Sequence, residues 1–211
     1  MSPEKRRWVE KIAMAISVLF HPVFIPVYGL LILFSAPTLL SYIPFHMKRV
    51  IFMLVIANNV ILPLSVTIIL YSRGVIKTIY AKERNERIIL LTFSLLLYAV
   101  TALLLVKLPV PNLFKAYFVS IAVVTLIALV VTTFYKISLH SMGLGGLIAL
   151  AATMIFIFDK GSIGYITSLV LGAGAVLSSR IYLDEHSPSE VWLGLMTGAG
   201  AMGLSLYFLI R

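Results

Sequence analysis

The sequence predicts an all-α fold, a polytopic membrane helix bundle of about six or seven transmembrane helices. Three observations carry that expectation. The 211-residue chain is 61% hydrophobic, with a mean hydropathy of +1.06 and only 12% charged residues; a soluble domain carries roughly a quarter. Seven stretches reach, or nearly reach, the roughly 20 apolar residues that a bilayer crossing takes. The longest polar interval, Arg73 to Arg87, has 15 residues and cannot house a soluble domain.

The first stretch runs from about Ala13 to Ser35 and is interrupted by His21-Pro22 and by Pro26. His21 reads there as a structural residue, hydrogen-bonded at a kink. The second, Val50 to Ser72, contains Asn58-Asn59 and Pro63. Amides are costly in lipid, so this pair is expected to face another helix. The third, Ile88 to Val106, and the fourth, Ala116 to Tyr135, contain no charge. The fifth, Ser141 to Phe158, and the sixth, Ile163 to Ser179, are short and rich in Gly and Ala. Both are expected inside the bundle, where small residues let backbones approach. The seventh, Val191 to Ile210, carries Gly194, Gly198 and Ala201 as a packing face; Gly143, Gly145 and Gly146 suggest close helix contact in the fifth. Backbone polar groups in lipid must be satisfied within each helix, so residues 1–211 read as a single integral membrane domain.

Charge narrows the function classes. The net charge is +9. On a membrane protein this points to anionic headgroups or phosphorylated substrates before nucleic acid. No nucleic-acid partner and no obligate protein partner are expected. The chain has no cysteine, which excludes disulfide and thiolate chemistry. The basic N-terminus MSPEKRRWVEK precedes no short apolar run with a cleavage site, so it reads as the flank of the first helix.

The polar clusters fall in a pattern. Arg73–Arg87 follows the second stretch, Lys136–His140 the fourth and Arg180–Glu190 the sixth. Counting crossings puts all three on one face. Most of the Lys and Arg residues fall on that face, so the positive-inside rule directs it to the cytoplasm.

The segment SSRIYLDEHSPSE packs Arg180, His186 and Glu190 into a short gap between apolar stretches. Desolvating such groups is costly and calls for a reason. Each residue also has a plain structural reading. Ser187-Pro188-Ser189-Glu190 looks like a helix start, with Glu190 completing a capping box. On that reading Glu190 serves the cap or His186, and only one of them fully. Arg180 could anchor at headgroups. His140 could be a satisfied polar residue at a helix boundary. His186 and Glu190, four apart, also suit a metal pair, but no third and fourth ligand is evident. The interleaved Glu83 and Glu86 suggest local pairing within the 73–87 loop.

The segment SRIYLDEHSPSE resembles the third signature of the type 2 phosphatidic acid phosphatase superfamily, SRxxxxxHxxxD, with Glu190 in place of the Asp. ISLH, at Ile137 to His140, resembles the second signature, PSGH, in Ser138 and His140 only. KTIYAKER, at Lys77 to Arg84, resembles the first, KxxxxxxRP, with Asn85 in place of Pro. The order of the three is kept, and the resemblance spans about Lys77 to Gly194.

The resemblance implies a superfamily-like core over about 77–210 and a metal-independent, cofactor-free phosphatase. His186 is then the nucleophile, Glu190 its orienting acceptor, and His140 the general acid and base. Lys77, Arg84, Ser138, Ser179 and Arg180 are implied to hold phosphate oxygens, with Lys82 and Arg87 as rivals for the first motif. The implied substrate is a lipid phosphomonoester or diphosphate: phosphatidic acid, phosphatidylglycerol phosphate, a polyprenyl diphosphate or a lipid A phosphate. The expected location is the bacterial inner membrane. Two alternatives stay open: a phosphatase-like lipid-binding protein without turnover, and a small anion or lipid transporter. The transporter is weaker, because the ionisable residues lie at helix ends rather than near the midplane.

Overall fold

The computed structural model describes residues 2–35, 43–81, 83–156 and 163–211. Among these the chain is all-α, without a strand. Seven helical segments are long and apolar enough to cross a membrane, beginning at Glu4, Phe45, Arg84, Asn112, Leu139, Ile163 and Pro188. The ends of the fifth and sixth expected stretches around 157–162, Lys160 among them, lie outside the described residues.

The first crossing is broken, as its prolines foretell. Helix α1 spans Pro3–Leu19, with Ser2 as N-cap. A 3-10 turn follows at Pro22–Phe24, and α2 runs Ile25–Ser35. Pro22 has no N–H to continue the α1 ladder, so the helix ends ahead of it. Helix α1 buries only Ala13 and Ser17 among its described side chains and packs against α8. It leaves Trp8, Ile12 and Val18 exposed.

The second crossing comprises α3 (Phe45–Ile56), a π turn (Ala57–Ile61) and α4 (Leu62–Ser72). Pro63 cannot donate back to residue 59, and the wider turn absorbs that loss. Asn58 Nδ2 donates to the Leu97 carbonyl at 2.6 Å and to Thr101 Oγ1 at 2.6 Å. The amides therefore face α5 (Arg84–Val106), as expected of polar groups in lipid.

The remaining crossings are α6 (Asn112–Phe134), α7 (Leu139–Phe156), α8 (Ile163–Tyr182) and α9 (Pro188–Ile210). Phe114, Tyr117 and Phe118 of α6 anchor the larger core, with Leu30 and Leu33 of α2, Ile51 of α3 and Leu206 of α9. The buried Tyr117 hydroxyl donates to the Ile25 carbonyl at 3.0 Å and so ties α2 to α6.

Helices α7 and α9 form the tightest pair. A Cβ at Gly145 would collide with the Leu195 carbonyl, and one at Gly198 with the Met142 carbonyl. Gly145 and Gly146 thus meet the small-residue face of α9, while Gly143 faces Ile25 of α2. Helix α7 is central, as expected. Helix α8 is not: it buries only Ala173, Val176, Leu177 and Ser179, and open space surrounds Gly174. Its glycines do not mark close packing on all sides, and it sits at the margin against α1 and α7.

Candidate functional site

The site grows from the end of α8. Asp184 takes a left-handed conformation at φ 54°, which Asp tolerates better than most residues. Glu185 N–H donates to the Arg180 carbonyl at 3.2 Å, and Asp184 N–H to the Ile181 carbonyl at 3.0 Å. This is a Schellman stop, which turns the chain back over its own last turn. His186 N–H also reaches the Arg180 carbonyl, at 3.3 Å. Arg180 and His186 are thereby brought to one place.

The next residues start α9. Ser187 is the N-cap, Pro188 occupies the first turn, and Ser187 and Glu190 form a reciprocal capping box. Glu190 Oε2 accepts from Ser187 N–H at 3.3 Å and pairs with His186 Nδ1 at 2.7 Å. One oxygen therefore serves both the cap and the imidazole, so the expected competition between the two roles does not arise. Glu is long enough to reach back to His186 from the third helical position.

With Nδ1 hydrogen-bonded to a carboxylate, Nδ1 carries the proton and Nε2 keeps its lone pair. His186 lies in the loop between α8 and α9, and its side chain is 7% exposed. Burial lowers its pKa to about 4; the Glu190 hydrogen bond opposes this, and the cations of Arg180 and Arg87 add to it.

His186 lines a cavity of about 950 Å³. Arg87, Lys136, His140 and Arg180 line it too, together with the carboxylates of Asp184 and Glu185. The rest of its wall is largely apolar, including Val18 of α1, Leu64 of α4 and Val124 of α6. The three loops that the crossing count places on one face do meet here, at residues 79–81, at 136 with 139–140, and at 183–186.

Two arginines differ from the others in being withdrawn from the surface. Arg87 is 8% exposed and grips the Ile137 carbonyl through one guanidinium nitrogen. Arg180 approaches Glu185 at only 3.9 Å, and its buried Nε has no partner among the described residues. A buried guanidinium donor without an acceptor is costly, and an anion in the cavity would satisfy it. Lys136 Nζ donates to the Glu185 carbonyl at 2.8 Å, bracing the loop that carries His186.

His140 stands at the start of α7. Ser138 N–H donates to the Glu190 carbonyl at 3.2 Å, fixing this entry against α9. A Cβ on Gly194 would fall 2.6 Å from the Ser138 carbonyl, so Gly194 permits that approach. His140 Nε2 lies 3.1 Å from the Ser17 carbonyl of α1 and donates to it. That leaves Nδ1 for proton exchange. His140 also lies in the fields of Arg180, His21 and His186.

Four residues expected to hold phosphate do not line the cavity. Lys77 is exposed and paired with Glu83 at 2.6 Å, and that bond raises its pKa. Arg84 points outward and donates to the Thr133 carbonyl at 3.2 Å, capping the end of α6. Ser138 is fully buried and accepts from Ser141 Oγ at 3.1 Å. Ser179 donates back to the Ala175 carbonyl at 2.7 Å. Of the rivals for the first motif, Arg87 faces the cavity, and Lys82 lies outside the described residues. Turns and bends between 73 and 80, with Gly74 and Ala81 in left-handed conformations, break any register that could have been counted from the sequence.

His21 is the residue whose place in the site the sequence reading missed. Its hydrogen bond at the break is as expected, with Nδ1 accepting from Val23 N–H at 3.3 Å. The ring also lines the cavity and packs edge-on against His140, with ring centroids 5.4 Å apart. A histidine beside a proline inside an apolar stretch was the signal. No described group of three or more His, Asp or Glu side chains is disposed to hold a metal. The chain matches no family model, no curated protein and no solved structure.

Proposed function

We propose that this chain is an integral membrane phosphatase acting on a lipid phosphomonoester or diphosphate. The single observation that carries the reading is the Glu190-held imidazole of His186 beside Arg180 and Arg87 at the polar end of a largely apolar cavity. An oriented neutral imidazole is a nucleophile. Fixed guanidinium groups supply the charge stabilisation that phosphoryl transfer demands. The apolar wall suits the tails of the substrate.

In this reading His186 Nε2 attacks phosphorus, and the bond from phosphorus to the lipid oxygen breaks. Glu190 keeps the Nδ1 proton and stabilises the charge that develops on the ring. His140, with Nε2–H held by the Ser17 carbonyl, enters this step as an imidazolium that gained its second proton on Nδ1 as the anionic substrate bound, and it gives that proton to the departing oxygen. It then takes a proton from water, which displaces phosphate from His186 and restores both imidazoles. Arg180 and Arg87 face the phosphate oxygens throughout, Arg180 through donors that have few acceptors in the protein.

A second reading is a lipid-phosphate binder without turnover. The serines at 138 and 179, engaged within the protein rather than at the cavity, favour it. Phosphate release from a panel of lipid phosphates by the purified protein, with chelator present and with His186→Ala as control, separates the two. Release that the substitution abolishes supports the phosphatase. Vanadate binding without release supports the binder, and release that survives the substitution rejects the assignment.

A further inference from the structure

The first crossing lies outside every motif that points to the site, yet it reaches the site twice, from α1 and from the break that follows it. The Ser17 carbonyl holds His140 Nε2, and His21 contributes a ring to the cavity wall. The His21-Pro22 break makes this possible. His21 caps the 3-10 turn through Nδ1, accepting from Val23 N–H. A neutral imidazole that accepts through Nδ1 carries its proton on Nε2. That donor has no partner among the described residues. The residue is exposed, and it is one of those that line the cavity. It meets the His140 ring edge-on with an interplanar angle of 88°, and it lies in the field of Arg180.

We propose that His21 is a third imidazole of the anion site, donating from Nε2–H to an oxygen of the bound phosphate. The inference rests on the phosphatase reading for the identity of the anion. It assigns a binding role to a residue about 56 positions before the first motif, and it makes the break in the first crossing a functional feature.

The test must separate the donor from the cap. Asn is a strong capping residue whose side-chain oxygen can accept the Val23 N–H as Nδ1 does. It is too short to place a donor where Nε2 lies. The probe is orthovanadate, titrated into wild type, His21→Asn and His21→Ala, with the melting temperature of each recorded. The expected result is that His21→Asn melts with wild type and binds vanadate about tenfold more weakly, the scale of one hydrogen bond to a charged group. Wild-type affinity in His21→Asn overturns the proposal. Should His21→Asn fail to fold, His21→Gln, which restores a longer donor, must bind at least threefold more tightly than His21→Ala or the proposal fails. Wild-type protein that neither binds vanadate nor releases phosphate overturns the phosphatase reading as well. That outcome is distinct from a wild type that binds and a variant that binds equally.

Discussion

Glu190 Oε2 pairs with His186 Nδ1 at 2.7 Å while it closes the capping box of α9 with Ser187. The helix start and the candidate nucleophile therefore share one oxygen. Whatever fixes the end of α9 also fixes the tautomer and direction of the imidazole.

That sharing can be split by substitution. Gln at 190 can still complete a capping box, but its amide no longer provides the carboxylate that stabilises a charged ring. Glu190→Gln is expected to keep the wild-type melting temperature and lose about 10²- to 10⁴-fold in kcat, by analogy with the loss when a triad carboxylate becomes an amide. Glu190→Ala is expected to lose activity and, with the cap, about 1 kcal/mol of stability. Equal activity in wild type and Glu190→Gln would show that the carboxylate does not serve His186.

The arginines are expected to separate sharply. Arg180→Ala removes donors at the cavity and is expected to lower kcat/KM about 10²-fold or more, the scale of losing one preorganised charge-stabilising group. Arg180→Lys is expected to recover only part, because an ammonium lacks the planar fork. Lys77→Ala and Arg84→Ala remove side chains that bond away from the cavity. Both are expected to stay within about threefold of wild type, since exposed pairs contribute little. A Lys77 or Arg84 effect as large as that of Arg180 would restore the register counted from the sequence.

Charge at the site also predicts a titration. Burial lowers the His186 pKa to about 4, aided by Arg180 and Arg87. A lowered pKa means that the ring stays neutral as pH falls through the ordinary value near 6.5, so the Nε2 lone pair remains available in mildly acidic solution. Removing the cation in Arg180→Gln relieves one of the lowering influences, and the pKa is expected to rise. Histidine-selective NMR of the ligand-free protein, assigned with His186→Ala, reads this directly. A wild-type midpoint at or above 6.5 would show that the Glu190 bond outweighs burial and the two cations.

Close packing of α7 on α9 sets the position of residues 138–140. Gly194→Ala places a methyl 2.6 Å from the Ser138 carbonyl, so the backbone there must move. The expected result is a loss of about 1–3 kcal/mol in stability and a fall in activity, because His140 follows Ser138. Gly174→Ala, with open space around it, is the control and is expected to be silent.

The fold was largely legible. Long apolar runs and their spacing located the crossings, and small residues at 145, 194 and 198 marked the α7–α9 contact. Counting crossings was enough to bring loops distant in sequence to one face. The same composition misled at α8, where Gly174 faces open space. The site was legible where chemistry and local structure coincide, as at His186 and Glu190. It was not legible at 77–87, where irregular turns decide which cation points inward. Nor was it legible at His21, because a helix break looks the same in sequence whether it serves packing or a cavity.

The most direct test is where the phosphoryl group goes. Wild type and His140→Ala are mixed with a lipid phosphate, quenched in alkali and digested, and the modified peptide is identified by mass spectrometry. A phosphoryl group on His186, stable to alkali and lost in acid, is the expected result; in His140→Ala it forms more slowly, without protonation of the leaving oxygen, and persists longer, without activation of water. Phosphate released by wild type with no phosphoryl group at position 186 in either protein, or with one on another residue, would contradict the account.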